Sequence, residues 1–219
     1  MTPFPNSPRL LKGGIALLDP ETSAVLRMIA LQYNPDTVTR SLAPQVFGGD
    51  GAERSEAVRL KGPPTETIKI EAEIDAADQL EHPEQNQATA QHGIQPQLAA
   101  LELILYPSTA TLLANSGRAN AGTLEIVPML APLTVFIWSK SRVVPVKLTE
   151  LSITEEAFDP NLNPLRAKVS LGMRVLNVND LGFSGRAANL YIAYQQQKER
   201  LAALTRSAAF GDFGLPGPL

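Results

Sequence analysis

The chain has 219 residues, and its 19 lysines and arginines against 22 aspartates and glutamates give a formal net charge of -3 at pH 7. This balance creates no basic field that would attract nucleic acid or anionic lipid. The lack of cysteine excludes disulfides, thiolate catalysis and cysteine-based metal sites. Hydrophobic residues make up 44% of the chain, which is enough for a core, but no apolar run approaches the roughly 20 residues of a membrane span.

The N-terminal segment predicts an arm followed by a hairpin. The first nine residues contain three prolines, and we expect residues 1–12 to form an extended N-terminal arm. Apolar runs at 14–18 and 25–31 flank the turn-forming pair Asp19-Pro20, which is typical of a β-hairpin. A second turn signal at 32–36 leads into a weakly alternating segment that is a candidate for a further strand.

A long exposed loop and a half-buried strand are predicted next. Residues 45–64 combine Gly48-Gly49-Asp50-Gly51, mixed charges and Pro63-Pro64, a composition typical of loops. From Thr67 onward, isoleucine and alanine alternate with charged residues, and this period of two predicts a strand with one buried face. Residues 76–92 are polar and predict an irregular or partly helical excursion.

A single internal helix is predicted after this excursion. Pro96 suits the first helical turn, where a missing N–H leaves no hydrogen bond unmade. Leu98, Leu101 and Leu105 follow helical spacing, and Pro107 limits the helix at its C-terminal end. The segment that follows Pro107 is ambiguous between helix and loop.

The clearest prediction is a long β-hairpin at residues 144–176. It follows a short strand candidate at 124–127 and an apolar run at 133–138, which fits a strand buried on both faces. Residues 165–175 alternate apolar and polar without a break, as a half-buried strand does. In the first half of the hairpin the alternation changes phase at Thr149-Glu150, which predicts a β-bulge.

Residues 181–219 predict a C-terminal helix and a Gly/Pro-rich tail, beyond a β-rich domain at 13–180. Leu190 and Tyr194 lie on the apolar face of this helix. That face has two interpretations, binding to a partner or packing on its own domain. The whole chain predicts a β-rich α+β fold, with an antiparallel sheet or barrel-like core, a long hairpin, one internal helix and a C-terminal helix.

No set of residues in the sequence predicts a catalytic, cofactor-binding or metal site. His82 and His92 lack the convergent partners that a zinc site needs. The glycine-rich segments match neither the dinucleotide fingerprint nor the phosphate-binding loop, and no GxSxG elbow occurs. The hairpin tip carries Glu155, Glu156 and Asp159, which we interpret as solvated charge among turn-forming residues rather than as an acid–base pair.

Several segments together resemble a known family of baseplate proteins from contractile injection systems. The sequence QYNPDTVTR at residues 32–40 resembles the QYNP(E/D)TxxR motif of LysM-associated baseplate proteins. Further matching segments lie at residues 62–68, 74–80, 93–102, 136–138, 144–146 and 152–164. The resemblance covers about residues 10 to 180 in the same order. It does not include a LysM module, because a helix and a Gly/Pro tail follow residue 180, and glycan binding is not carried over.

The resemblance implies a structural adaptor without catalysis or cofactor. Such proteins join the inner tube and spike hub to the surrounding wedge proteins of a phage-tail-like particle. Self-association into a ring of six copies is expected, with no nucleic-acid partner and no membrane insertion. The start MTPFPNSPRLLKGG lacks an apolar segment of signal-peptide length, so we expect synthesis and assembly in the cytoplasm, with the particle either released or retained.

Partner contacts are expected at the QYNP segment, the hairpin tip and the C-terminal helix. The candidate residues are Tyr33, Asn34, Pro35, Glu155, Glu156, Phe158, Asp159, Leu190 and Tyr194. The basic residues Arg166, Lys168 and Arg174 are interpreted as a solvated strand face, with an acidic partner as the alternative. Two other functions stay open: a tail-associated glycan-binding or cell-wall-acting protein, and a tail tube or tube-initiator protein.

Overall fold

A computed structural model describes residues 11–46, 59–120, 131–206, 208 and 210–213. The strands are β1 (Gly14–Leu18), β2 (Val25–Ala30), β3 (Val38–Val46), β4 (Leu60–Asp75), β5 (Leu133–Ser139), β6 (Arg142–Phe158) and β7 (Pro164–Val175). The α-helices are α1 (Ala77–Leu80), α2 (Gln87–His92), α3 (Gln95–Glu102), α4 (Thr109–Asn120), α5 (Val178–Leu181) and α6 (Arg186–Ala203), and a 3-10 turn spans Phe210–Phe213. The predicted β-rich α+β class is confirmed. Most of the predicted N-terminal arm, the strand candidate at 124–127 and the end of the tail lie outside the described residues.

The seven strands form one antiparallel sheet that curls back toward its own beginning. Its strand order is β2-β1-β5-β6-β7-β4-β3. The two terminal strands, β2 and β3, follow each other in the chain and are joined only by residues 31–37. Within this connection, Gln32 Nε2 donates to the Asp75 carbonyl (2.7 Å), and the Asp75 N–H donates to Gln32 Oε1 (3.0 Å). A side-chain amide thereby joins the segment after β2 to the end of β4, while β2 and β3 themselves are not paired as described strands.

The main core lies on the inner face of the curled sheet. Register pairs place Ile15, Phe136 and Val144 in one row across β1, β5 and β6. Side chains from α3 pack on the same face, and its Leu98 and Leu101 are buried. Because alternate residues of a strand point to opposite faces, Ala16 and Val135 form a second, smaller cluster on the outer face of β1 and β5.

The predicted hairpin is confirmed as the pair β6 and β7. The two strands pair from Val146 with Val175 to Phe158 with Pro164. Their register shifts between Leu148 and Glu150, so the predicted β-bulge is also confirmed. The hairpin predicted at 14–18 and 25–31 is found as the pair β1 and β2, with nearly the predicted bounds. β3 and β4 are longer than expected, because their pairing continues into segments whose composition is typical of loops.

The predicted loop at 45–64 is wrong at both ends. β3 continues to Val46 and β4 begins at Leu60, while residues 47–58 lie outside the described residues. Pro44 and Pro63-Pro64 are compatible with strands here because β3 is an edge strand and its register with β4 is irregular between Ala43 and Val46. Proline content therefore indicated an irregular edge rather than a loop.

The prediction of one internal helix is also wrong, because the described residues between β4 and β5 form four. α3 is the predicted one, and Pro96 lies in its first turn as expected. α1 and α2 have only 4 and 6 residues, too short to produce a helical period in the sequence. α4 has 12 residues and falls in the segment that was ambiguous from sequence.

Candidate contact site

The tip of the β6–β7 hairpin, residues 155–163, is held by hydrogen bonds to one carboxylate. Asp159 accepts from the backbone N–H of Asn161 and of Asn163, each at 2.8 Å, and from Asn163 Nδ2 at 2.8 Å. The backbone closes the same turn, with Leu162 N–H donating to the Asp159 carbonyl (2.9 Å). The bond from the Asn163 side chain, followed by those from the backbone, lowers the pKa of Asp159. Asp159 therefore shapes the turn.

The tip is also fixed against the helical part of the domain. Asn163 Nδ2 donates to the carbonyl of Gln91 in α2 (3.1 Å), and Ile94 N–H donates to the Pro164 carbonyl (2.8 Å). Gly93 lies between these bonds with φ of +57°, and a Cβ atom at this position would collide with the Pro164 carbonyl oxygen. The hairpin end thus has a defined position relative to α2 and α3.

Two large apolar side chains project from this rigid tip. Phe158 is 50% exposed and Leu162 is 77% exposed. Leu162 adopts a φ of +65°, a left-handed conformation that costs a non-glycine residue about 1 kcal/mol or more. An exposed leucine held in a strained conformation has no packing role within the described residues, and it is the feature expected of a preformed contact.

The acidic residues of the tip differ in their surroundings. Glu156 Oε1 lies 3.0 Å from Lys168 Nζ, whereas Glu155 is exposed and forms no ion pair within the described part of the chain. The basic strand face is similarly occupied: Arg166 Nε lies 2.8 Å from an Asp75 carboxylate oxygen, and Arg174 pairs with an acid of α5. These partners favour the solvated-face interpretation of the basic residues over an acidic partner.

The QYNP segment has structural contacts that its composition did not predict. Asn34 Oδ1 accepts from the Gly13 N–H (2.8 Å), and Asn34 Nδ2 donates to the Leu11 carbonyl (2.7 Å). Tyr33 is 44% exposed, and its hydroxyl lies 3.3 Å from an Asp78 carboxylate oxygen. Pro35 is half-buried. Asn34 thus anchors the approach to β1, and Tyr33 stays partly exposed.

The apolar face of α6 packs on its own domain. Leu190 contacts the outer-face cluster of β1 and β5, and Tyr194 is buried at 5% exposure. The Tyr194 hydroxyl donates to Glu66 Oε1 (2.8 Å), and burial together with that carboxylate raises the pKa of the tyrosine. The structure favours packing of this helix on its own domain over binding to a partner. The prediction of Tyr194 as a partner contact is therefore wrong, and Leu190 is only partly accessible.

Glu66 is the centre of a buried cluster that the sequence reading missed. Its carboxylate accepts from Arg40 Nε (2.8 Å) and Lys198 Nζ (2.9 Å) in addition to Tyr194. Burial alone would raise the pKa of Glu66, but the hydrogen bonds from Lys198, Arg40 and Tyr194 outweigh it and lower the pKa. The sequence contained a signal for this buried charge. Glu66 lies two residues before the buried Ile68 on the same strand, so both side chains point to the inner face.

An apolar groove between β2 and α3 is the second feature that sequence reasoning missed. It encloses about 640 Å³, with residues 27–30 of β2 on one wall and α3 with Gln97 on the other. Val169 and Leu171, which are fully buried in the core, border it on the inside. β2 is the edge strand of the sheet, and Met28 is 69% exposed. Gln97 Oε1 is buried and has no hydrogen-bond partner among the described residues. We name this feature the β2–α3 groove.

In the part of the chain that the structure describes, no group of three or more His, Asp or Glu side chains is placed to hold a metal ion. His82 lies 3.7 Å from a carboxylate oxygen of Glu84, and both side chains are exposed. Within the same residues, no helix combines the length and apolar character that crossing a bilayer requires.

No protein-family model matches the chain, and no curated protein matches it significantly.

Proposed function

We propose that this chain is a structural component of the baseplate of a contractile injection system, where it joins the inner tube and spike hub to the surrounding wedges. The collinear motif resemblance supports the setting. The observation that carries the contact role is the rigid hairpin tip, which holds Phe158 and the strained Leu162 exposed. A preformed apolar projection is what a protein that docks to neighbours requires.

Exposed apolar side chains also occur on other elements, which supports contacts on several sides. Such residues lie on β2, after α3, on α4, before α6 and at the end of α6: Val25, Leu26, Met28, Leu105, Tyr106, Leu113, Phe183 and Leu204. A single exposed leucine needs no explanation, but groups of them on one strand or one turn are typical of interaction surfaces.

These groups supply part of the free energy that an assembly needs. Fully burying a side chain such as Phe158, Leu162 or Met28 contributes about 1.5–3 kcal/mol, so three of them supply at most about 9 kcal/mol, against an association cost of about 4–15 kcal/mol. The preorganised tip keeps the entropic part of that cost low. A subunit with several such surfaces can touch a copy of itself and different neighbours at once.

A ring of six copies requires that each copy present two different surfaces to its two neighbours. Such heterologous contacts close into a ring when the rotation between copies fits, and otherwise form filaments. In this proposal the self-association is part of the assembly, and the tube, hub and wedge proteins occupy other surfaces. The proposed role is mechanical and needs no catalytic group.

The copy number of the chain in purified particles tests this function. Particles from cells that encode the chain should contain about six copies, measured by quantitative mass spectrometry against the other particle proteins. A deletion strain should yield tubes without a complete baseplate in electron micrographs, and the wild-type chain supplied in trans should restore it. Absence of the chain from particles contradicts the proposal, and hundreds of copies per particle indicate a tube protein instead.

A further inference from the structure

We propose that the hairpin tip of one copy docks into the β2–α3 groove of the next copy. The inference rests on the proposed function for its setting in a ring, and it specifies the self-contact of that ring. The tip is convex, apolar and acidic, and the groove is concave, apolar and basic at its rim. The two features lie on different parts of the chain, as a head-to-tail contact requires.

The groove has the size and lining that a pair of apolar side chains requires. Its volume of about 640 Å³ lies in the range of ligand pockets, and fully buried core residues such as Val169 and Leu171 border it on the inside. Met28 stands exposed on its β2 wall. Phe158 and Leu162, which are exposed on the tip, match this lining chemically.

The charges at the two surfaces are complementary. Lys12 and Arg27 line the groove, and neither forms an ion pair with another described residue. Glu73 also lines it, but its carboxylate lies 3.6 Å from Arg166 Nε on its own sheet. On the tip, Glu155 is exposed and has no ion pair within the described residues. Docking would place this carboxylate near unpaired cations.

The groove also has hydrogen-bonding capacity that is not used within the described chain. Gln97 Oε1 is a buried acceptor that lacks a donor, which costs about 1–3 kcal/mol if it stays unpaired. Among the described residues, β2 has no strand partner on its outer side, so its backbone groups there are not paired with another described strand. The exposed amide of Asn161 at the tip can donate to a carbonyl group on this edge of β2.

The tip is held in place on its own chain. Asn163 ties it to the Gln91 carbonyl in α2, and the Gly93–Pro164 contact permits no side chain between the hairpin and that helix. The complementary charges and the exposed apolar side chains of the tip are the reasons for assigning the groove to the tip of a second copy. Because the tip is already rigid, docking immobilises few side chains, and the contact gains affinity from this preorganisation.

The cysteine-free sequence permits a direct test by disulfide cross-linking. Leu162→Cys is placed in one tagged copy and Met28→Cys in a copy with a different tag, and both are mixed under mild oxidation. Both positions are more than two-thirds exposed, at 77% and 69%, so the variants should fold as the wild type does, which circular dichroism checks. A disulfide forms only when the two Cα atoms approach within about 7 Å.

The expected result is a cross-linked heterodimer from Leu162→Cys with Met28→Cys. The matched control pairs Leu162→Cys with Phe183→Cys, which is exposed at 78% but lies away from the groove. The control should give at least tenfold less product. Equal yields from both pairs overturn the inference. The absence of product from the first pair also overturns it, whether or not the chain self-associates at the concentration used.

A charge exchange supplies a second, independent readout. Arg27→Glu should lower the yield of the Leu162–Met28 cross-link by about fivefold, as expected for one rim charge pair, and Glu155→Arg on the other copy should restore it. A yield that neither change affects contradicts the charge complementarity. In a matched control, Lys140→Glu on the β5–β6 turn should leave the yield unchanged.

Cross-linking inside particles separates this inference from the proposed function. The double variant with both cysteines should form a ladder of oligomers in purified particles. If the chain is present at ring copy number but gives no ladder, or is linked through Leu162→Cys to a different protein, the tip–groove contact is wrong and the baseplate role stands. If the chain is absent from particles yet forms the specific cross-link in solution, the contact stands and the baseplate role is wrong.

Discussion

Replacing Glu66 with glutamine should destabilise the domain strongly at neutral pH. The Glu66 side chain is only 4% exposed and accepts hydrogen bonds from Arg40, Lys198 and Tyr194 at 2.7–2.9 Å. Breaking a buried ion pair costs about 3–5 kcal/mol when the remaining charge stays buried. Here Arg40 and Lys198 keep 27% and 31% exposure and can regain water. We therefore expect a loss of about 2–3 kcal/mol in the free energy of unfolding.

The loss should depend on pH in a defined direction. The pKa of Glu66 is lowered in the folded state, so the carboxylate contributes stability above its unfolded pKa of about 4.3 and loses that contribution as pH falls through the folded value. The difference between wild type and Glu66→Gln should accordingly be constant from about pH 6 to 8 and shrink below about pH 4.

Urea denaturation followed by circular dichroism at several pH values measures both effects. Glu150→Gln is the matched control, because Glu150 lies on the same sheet, its side chain is 61% exposed, and its Oε2 lies 3.9 Å from Lys69 Nζ. This change should lower the free energy of unfolding by less than about 0.5 kcal/mol. Hydrogen exchange should also show faster exchange in α6, which the cluster joins to β4. A cost for Glu66→Gln no larger than that of the control, or one independent of pH, would refute this account of the cluster.

Three further predictions concern the curled sheet and the hairpin. Gly93→Ala should cost about 3 kcal/mol in urea denaturation, because positive φ and a backbone collision combine, whereas Gly182→Ala, at φ of +68° in open space, should cost about 1 kcal/mol. Gln32→Ala removes two hydrogen bonds to the Asp75 backbone and should lower the free energy of unfolding by about 1–3 kcal/mol. A smaller loss would show that the segment after β2 stays at the end of β4 without these bonds. In a carboxyl NMR titration Asp159 should titrate below an unperturbed aspartate, and Asn163→Ala should move its pKa upward.

The sequence predicts the hairpin and the central strands because their burial is one-sided. Residues 165–175 carry a strict period of two, and the structure pairs them with β6 in the register that this period requires. The β-bulge was readable for the same reason, since an inserted residue changes the phase of the alternation at Thr149-Glu150. A local pattern suffices where one face of a strand is buried and the other is solvated.

The closure of the sheet and the buried cluster depend on contacts that are distant in sequence. The Gln32 amide replaces a strand partner for Asp75, and no local pattern marks a side chain that acts in place of backbone. Glu66 meets Tyr194 and Lys198 across more than 100 positions. Its inward parity was a signal for a buried charge, but its partners on α6 were not identifiable without the fold.

The β2–α3 groove could not be predicted from the sequence, for a different reason. The run VLRMIA of β2 predicts one strand of a hairpin but does not show whether a further strand covers its other side, since apolar side chains occur on both of its faces. The structure places it at the sheet edge, with Met28 exposed, so the same composition becomes an open contact surface. Apolar content on both faces does not distinguish a strand between two neighbours from a strand that lacks one.

The residues of the QYNP segment explain the fold better than they explain a contact. Gln32 joins β2 to the end of β4, Asn34 anchors the backbone ahead of β1, and the Tyr33 hydroxyl bonds to Asp78, so three of the four motif side chains form hydrogen bonds inside the chain. A motif with these roles specifies how the sheet curls. Recognition of a neighbour then depends on residues outside it, above all on Leu162 at the tip and Met28 at the groove. Variants of Gln32 should therefore reduce folding and assembly together, whereas variants of Leu162 should reduce assembly alone.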